Sequence, residues 1–256
     1  MSFKVLQFNM QFGQTWRETD PDRAPIDVDQ TIAEIVSHEA DLIMIQELER
    51  ATPGWTQPLL PPNFLRIKQA LQGYEGFSAF PKTDERELPF GVGLAIFSRT
   101  ALREAVTIDV PSPSVEFVFR GKKTTPTDRV LIGATTTVNE RELHLMNTHL
   151  LAFFMLNSSS ETHPEQRKQV VDLMRRQEGP ALIAGDFNVR EHDSLVRQFA
   201  AVGCSTVQTS EPTWRRQPYV LDHIFYNQQL RCISHQVKPT PASDHHVLLA
   251  EFEFRY

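Results

Sequence analysis

Short β-type apolar runs recur along nearly the whole of this 256-residue chain, whereas helical periodicity surfaces in only four places. That imbalance restricts the folds open to it. Strands are expected at Phe3 to Asn9, Leu42 to Gln46, Gly76 to Phe80, Val92 to Ser98, Ala105 to Val110, Val115 to Phe119, Val130 to Val138 and Glu142 to Thr148. Ala181 to Ala184, Ile224 to Tyr226, Leu230 to Val237 and Val247 to Phe254 read the same way. One helix is expected around Ile32, Ile35 and Val36 after Asp27 and Asp29, and a second through Phe64, Leu65 and Leu71, ending at Gly73. A third opens at His163-Pro164-Glu165, and a fourth spans Ser194 to Val202 and stops at Gly203. Strands and helices do not alternate in the regular rhythm of a doubly wound sheet. The pattern predicts two sheets sharing a core with helices outside, in one domain over residues 1–256 without repeat or linker.

The strands end in residues that packing alone does not select. Phe3 to Phe8 runs into Asn9, Leu42 to Ile45 into Gln46-Glu47, and Leu143 to Met146 into Asn147-Thr148-His149. The run to Ala184 leads to Gly185-Asp186-Phe187-Asn188, where the glycine permits a sharp exit and Asp186 and Asn188 project to one side. Any one of these is an ordinary turn or cap residue. Together with Asp222 and with Ser243-Asp244-His245 they form an inventory suited to phosphoryl chemistry. Glu47 suits a hard, oxygen-preferring cation such as Mg2+, which usually takes one or two carboxylates and keeps water and phosphate oxygens. Asn9, Asn188 and His149 are donors for phosphoryl oxygens as charge builds, and Asp222 is placed to orient His245 for proton transfer. Asp244 is a second metal candidate, and Asp186 a residue to position the attacking water.

In their order along the chain these segments resemble the endonuclease/exonuclease/phosphatase superfamily. The elements are Phe8-Asn9, Gln46-Glu47, the strand Gly91 to Arg99, Asn147-Thr148-His149-Leu150, Gly185-Asp186-Phe187-Asn188, Leu221-Asp222-His223-Ile224-Phe225 and Ser243-Asp244-His245-His246. The resemblance implies an α/β (α+β) four-layer sandwich, two central mixed β-sheets packed face to face with helices on both outer sides. It also implies Mg2+ as cofactor, with Mn2+ as a substitute, held principally by Glu47 with Asn9 and Asp244 close by. Asp186 and Asn188 fall at the water and phosphate, His245 pairs with Asp222, and His149 steadies the pentacoordinate phosphorus. Arg129 is similar in position to an arginine that some members place near the site. His223 departs from the tyrosine frequent in the family, a change that would alter the pocket wall.

Substrate is less constrained. A net charge of -6 argues against a surface that attracts nucleic acid throughout, and the basic doublets Lys122-Lys123 and Arg215-Arg216 read as solvated loops. After His149 the apolar stretch Leu150 to Leu156 stands where substrate would enter. Phe153 and Phe154 either meet a lipid tail or a base there or fold back onto the core; Trp214 has the same two options. The phosphoester substrate is therefore a nucleic acid or a phospholipid or small molecule. No GxSxG, GxxxxGK[ST] or HExxH is present, and the early His/Asp pair of a calcineurin-type two-metal phosphoesterase is missing. A catalytically inactive binding module would have lost Glu47, Asp186 or His245, and all three are present. Cys204 and Cys232 read as thiols. With no secretory signal, no membrane span and no evident obligate protein partner, a cytoplasmic protein is expected.

Overall fold

The structure, a computed structural model, describes residues 1–50, 61–81, 91–119 and 121–255. In chain order its strands are β1 (Phe3–Asn9), β2 (Leu42–Arg50), β3 (Glu75–Ala79), β4 (Gly91–Ser98), β5 (Arg103–Val110), β6 (Phe117–Phe119), β7 (Lys122–Thr124), β8 (Arg129–Val138), β9 (Arg141–His149), β10 (Ala181–Asp186), β11 (Ser205–Thr206), β12 (Asp222–Tyr226), β13 (Leu230–Lys238) and β14 (Val247–Phe254). The helices are α1 (Val28–Ser37), α2 (Pro62–Ala70), α3 (Glu165–Arg175) and α4 (His192–Ala200). One sheet has the order β13-β14-β1-β2-β4-β3 and the other β11-β12-β10-β9-β8-β5, with β6 and β7 forming a separate hairpin. Both sheets are mixed: β1 runs parallel to β2 and β9 parallel to β10, and the other pairings are antiparallel.

Period-two alternation divides each strand between two apolar layers. Phe3 and Val5 of β1, Leu42 and Met44 of β2, Leu143 and Leu145 of β9 and Leu182 and Ala184 of β10 meet in the space between the sheets. Their neighbours Leu6, Phe8, Ile43 and Ile45 face outward, where Ile35 of α1 and Phe64 and Ile67 of α2 cover them. On the second sheet Leu131, Ile183 and Phe225 face outward beneath Val170, Val171 and Met174 of α3 and Leu195 and Phe199 of α4. Helix, sheet, sheet and helix form the four expected layers. Among the described residues no helix is long and apolar enough to cross a membrane.

Several expectations need correction. The Lys122-Lys123 doublet opens the strand β7 rather than a loop, with Lys123 exposed as expected. Gly185 is not an exit from its strand, because β10 continues through Asp186. Its lack of a side chain serves a close approach: a Cβ there would stand 2.3 Å from the Thr148 carbonyl oxygen of the neighbouring β9. Cys204 and Cys232 are free thiols, as expected.

Candidate active site

The alternation that fills the core also delivers the polar groups. On β1 the inward positions run Phe3, Val5, Gln7, Asn9; on β9 they run Leu143, Leu145, Asn147, His149; on β10 they run Leu182, Ala184, Asp186. Each strand is apolar at mid-sandwich and polar two residues further along the same face. Parallel pairing sets Asn9 opposite Gln46 and Asp186 opposite His149. Because β12 is antiparallel to β10, its first residue, Asp222, lies opposite Asp186. Likewise β14 is antiparallel to β1, so the turn before it carries Asp244 and His245 to the same rim. Glu47 arrives differently. Simple alternation would point it outward with Ile45, but β2 carries one extra residue between Gln46 and Glu49, and Glu47 takes a left-handed φ of 50°.

Asn9 joins the two carboxylates of greatest interest. Its side-chain nitrogen donates to Glu47 Oε1 and to Asp186 Oδ2, both at 3.0 Å. His149 Nε2 lies 3.6 Å from Asp186 Oδ2 and 3.9 Å from Glu47 Oε1, and His245 Nε2 lies 3.7 Å from Asp186 Oδ2. Behind it, Nδ1 of His245 and Oδ2 of Asp222 are 2.7 Å apart. The Asn188 backbone N–H donates to Asp186 Oδ1 at 3.0 Å, while its side-chain amide donates to the Leu150 carbonyl. Asn188 thus ties the loop after β9 to the loop after β10. The half-buried Arg129 shares a small crevice with His149, Gly93 and Pro81.

Asp244 sits less freely. Its Oδ2 accepts from Arg216 Nε at 2.8 Å and from Trp214 Nε1 at 3.3 Å, and Arg216 continues to Asp22 at 2.7 Å. Arg215 pairs with Glu18 at 2.5 Å. The Arg215-Arg216 doublet therefore pins the excursion after β1 to the site instead of forming a solvated loop. The apolar stretch after His149 divides. Phe153 is buried, stacked on His163 at 5.2 Å, so of its two expected placements it takes the folded-back one rather than the substrate-facing one. Phe154 stays half-buried beside Trp214 (5.7 Å) and Tyr219 (5.6 Å), and Met155 is exposed. Trp214 is in turn 6.4 Å from the His245 ring, so Phe154, Trp214 and Tyr219 form an aromatic flank. His223 is not on the pocket wall. Alternation turns it outward, where it packs on Phe187 and Phe225.

A chain of buried amides not anticipated from the sequence lies beneath the site. Gln7 Nε2 donates to Asp222 Oδ1 at 2.8 Å and to Gln46 Oε1 at 2.7 Å, and Gln46 Nε2 donates to Asn147 Oδ1 at 2.6 Å. Asn147 then donates to the Ile45 and Ala95 carbonyls. This chain crosses between the sheets. The available signal was Gln7, a polar residue on the face of Val5 and Asn9.

Charge is crowded here. Burial and then the Asp244 charge push Glu47 up to about 7, and burial and then Asp222 push Asp186 up to about 8. Burial opposes the charged form of His245, yet Asp222 and Asp186 raise it to about 10. Burial also penalises ionised Asp222, but the His245 charge and its hydrogen bonds outweigh this and lower its pKa. His149 is held well below the usual imidazole value by burial, Arg129 and His245. Among the described residues, donor atoms of Asp186, Asp222 and His245 lie within 4.8 Å of one another, a group able to hold a metal ion. Asp222 and His245 already balance each other. The carboxylates whose protons are favoured by crowding are Glu47 and Asp186, and a divalent cation beside such oxygen donors relieves that crowding. The donor set fits a hard cation.

Two sheets that bring acidic, amide and imidazole groups to one rim define a metal-dependent phosphoric ester hydrolase. Residues 6–245 match the Endonuclease/Exonuclease/phosphatase family, and the chain belongs to it. The fold is similar to that of an endonuclease/exonuclease/phosphatase from Beutenbergia cavernae at 20% identity (TM-score 0.74, covering 99% of this chain and 72% of that one). It is also similar to the human Nocturnin catalytic domain with bound sulfate at 18% identity (TM-score 0.67, 99% and 94%). A mannosyl-6-phosphatase from Bacteroides thetaiotaomicron gives 16% identity (TM-score 0.64, 98% and 100%). No curated protein matches the sequence.

Proposed function

We infer that this hydrolase is a Mg2+-dependent phosphodiesterase acting on a small or short phosphoester by in-line attack of water. The observation that carries the reading is the Asn9 amide shared between Glu47 and Asp186, which sets a cation-holding carboxylate and a water-orienting carboxylate around one volume. Glu47 would hold Mg2+, which would supply Lewis-acid neutralisation of phosphoryl charge. Asp186, fixed by the Asn9 amide and the Asn188 backbone N–H, orients the water and, in its ionised form, accepts its proton. His245 is kept cationic by Asp222 and presents Nε2 toward the reacting phosphoryl group, where it donates a proton or a hydrogen bond. The neutral His149 and the second Asn188 amide hydrogen serve as further donors to phosphoryl oxygens.

Two observations support a small substrate over a long nucleic acid. The chain is net acidic, and the Arg215-Arg216 doublet is engaged by Glu18, Asp22 and Asp244. The test is a panel of bis(p-nitrophenyl) phosphate, single- and double-stranded DNA, RNA, sphingomyelin and inositol phosphates, each with Mg2+ and with chelator. Small phosphodiesters are expected to be hydrolysed with shallow salt dependence. Steep salt inhibition on DNA or RNA, the mark of counterion release, would overturn the substrate reading, and activity indifferent to chelator would overturn the cation.

A further inference from the structure

The bulge that brings Glu47 to the site is fastened from outside it. Helix α2 begins with Pro61 and Pro62 and has no side-chain cap of its own. Its first free amide is capped from another element: the buried Glu49 carboxylate accepts the backbone N–H of Asn63. Asn63 returns the contact, its side-chain nitrogen donating to the Leu48 carbonyl at 2.9 Å and to the Phe12 carbonyl at 3.4 Å. Leu48 and Glu49 follow Glu47 directly. Phe12 lies in the turn after β1, where the Gln11 N–H donates to Asn9 Oδ1 at 3.1 Å. One buried asparagine thus spans both segments that present Asn9 and Glu47.

Those segments contain three non-glycine residues in left-handed conformation, Gln11 at φ 45°, Phe12 at φ 47° and Glu47 at φ 50°. Such conformations persist where surrounding contacts over-determine them. We propose that Asn63 and Glu49 are positioning residues that set the Glu47 carboxylate for its cation, acting through the Leu48 backbone. The proposal rests on the reading that Glu47 takes a divalent cation.

The experiment compares the full-length wild type with Asn63→Asp, Glu49→Ala, Glu49→Gln and Glu47→Gln, each well below its melting temperature. Calorimetric titration with Mg2+ and with Mn2+ gives cation affinity, hydrogen exchange in chelator reports the backbone of residues 9–12 and 46–49, and kcat is read at saturating Mg2+. Asn63→Asp keeps the volume but removes both donors. It and Glu49→Ala are expected to weaken cation binding by at least about tenfold, the scale for residues that orient a metal ligand. Exchange should speed up in both segments, while kcat at saturating Mg2+ stays within about threefold, as for a loss confined to binding. Glu49→Gln, whose side-chain carbonyl still accepts the Asn63 amide, should bind like the wild type. Wild-type cation affinity in folded Asn63→Asp and Glu49→Ala would overturn the proposal and leave the contacts as a helix cap. If Asn63→Asp fails to fold, the contrast between Glu49→Ala and Glu49→Gln decides it, equal affinity in the two overturning it. Equal binding by wild type and Glu47→Gln would instead overturn the cation reading, and the positioning role with it.

Discussion

His223 should make the protein lose stability in acid, because its burial opposes protonation. The side chain is fully buried in the layer between the second sheet and α4, beside Phe187 and Phe225, with Nδ1 3.1 Å from Thr206 Oγ1. Burial, and then the neighbouring His192, lower its pKa from 6.5 to about 4, against weaker opposition from Asp222 and the Val220 backbone. In the unfolded chain the imidazole protonates near 6.5, whereas in the folded protein it stays neutral until about 4. The unfolded state therefore binds more protons across that window, and stability falls as pH falls through it. Each pH unit costs about 1.4 kcal/mol, so the full descent to pH 4 costs about 3 kcal/mol. Denaturant unfolding of the wild type and of His223→Phe, in chelator from pH 8 to pH 4.5, isolates the effect, because the other titrating groups are common to both. The stability difference should be constant above about pH 7 and slope against the wild type below 6.5, at about 1.4 kcal/mol per unit. A flat difference throughout would refute the reasoning, since the imidazole would then be accepting a proton inside the fold at no cost. The consequence reaches the site, because His223 adjoins Asp222 on β12, and loosening that strand withdraws the partner of His245.

At the site itself, Asp186→Asn and His245→Ala are each expected to lower kcat by at least about 100-fold, as measured on bis(p-nitrophenyl) phosphate. Full activity in His245→Ala would remove it from proton handling. Glu47→Gln should weaken Mg2+ binding in calorimetry while leaving the melting temperature in chelator unchanged or higher, because it removes a crowded carboxylate. Phe153→Ala should cost about 3 kcal/mol or more of stability in denaturant unfolding, as for a buried aromatic, with KM and kcat of the folded fraction unaltered. Phe154→Ser should behave the opposite way, raising KM with little loss of stability; equal effects from the two would contradict their different placement.

Strand positions and the shared facing of their residues were legible because alternation is a local property that the β-sheet preserves. Phe3, Val5 and Asn9 share a face in sequence and share it in space, as do Leu182, Ala184 and Asp186. The same rule exposes Gln7, whose role emerges only when β1 is set against Gln46 and Asp222, contacts made with residues 39 and 215 positions away. Where strict alternation fails, parity alone misplaces a residue that its type had marked for the site. Glu47 belongs by parity to the outer layer and reaches the rim only through the extra residue in β2, a feature fixed by pairing with β4. The fate of the stretch after His149 was equally non-local. Phe153 and Phe154 are chemically identical neighbours, and what separates them is that one meets His163 and the other meets Trp214 and Tyr219. Residue types therefore revealed the chemistry, while tertiary partners decided which of the candidates are free to perform it. Asp244 shows this most sharply: its carboxylate suits a cation by type, yet Arg216 and Trp214 both hold Oδ2, so any cation it helps to hold must be met by Oδ1 or displace the guanidinium.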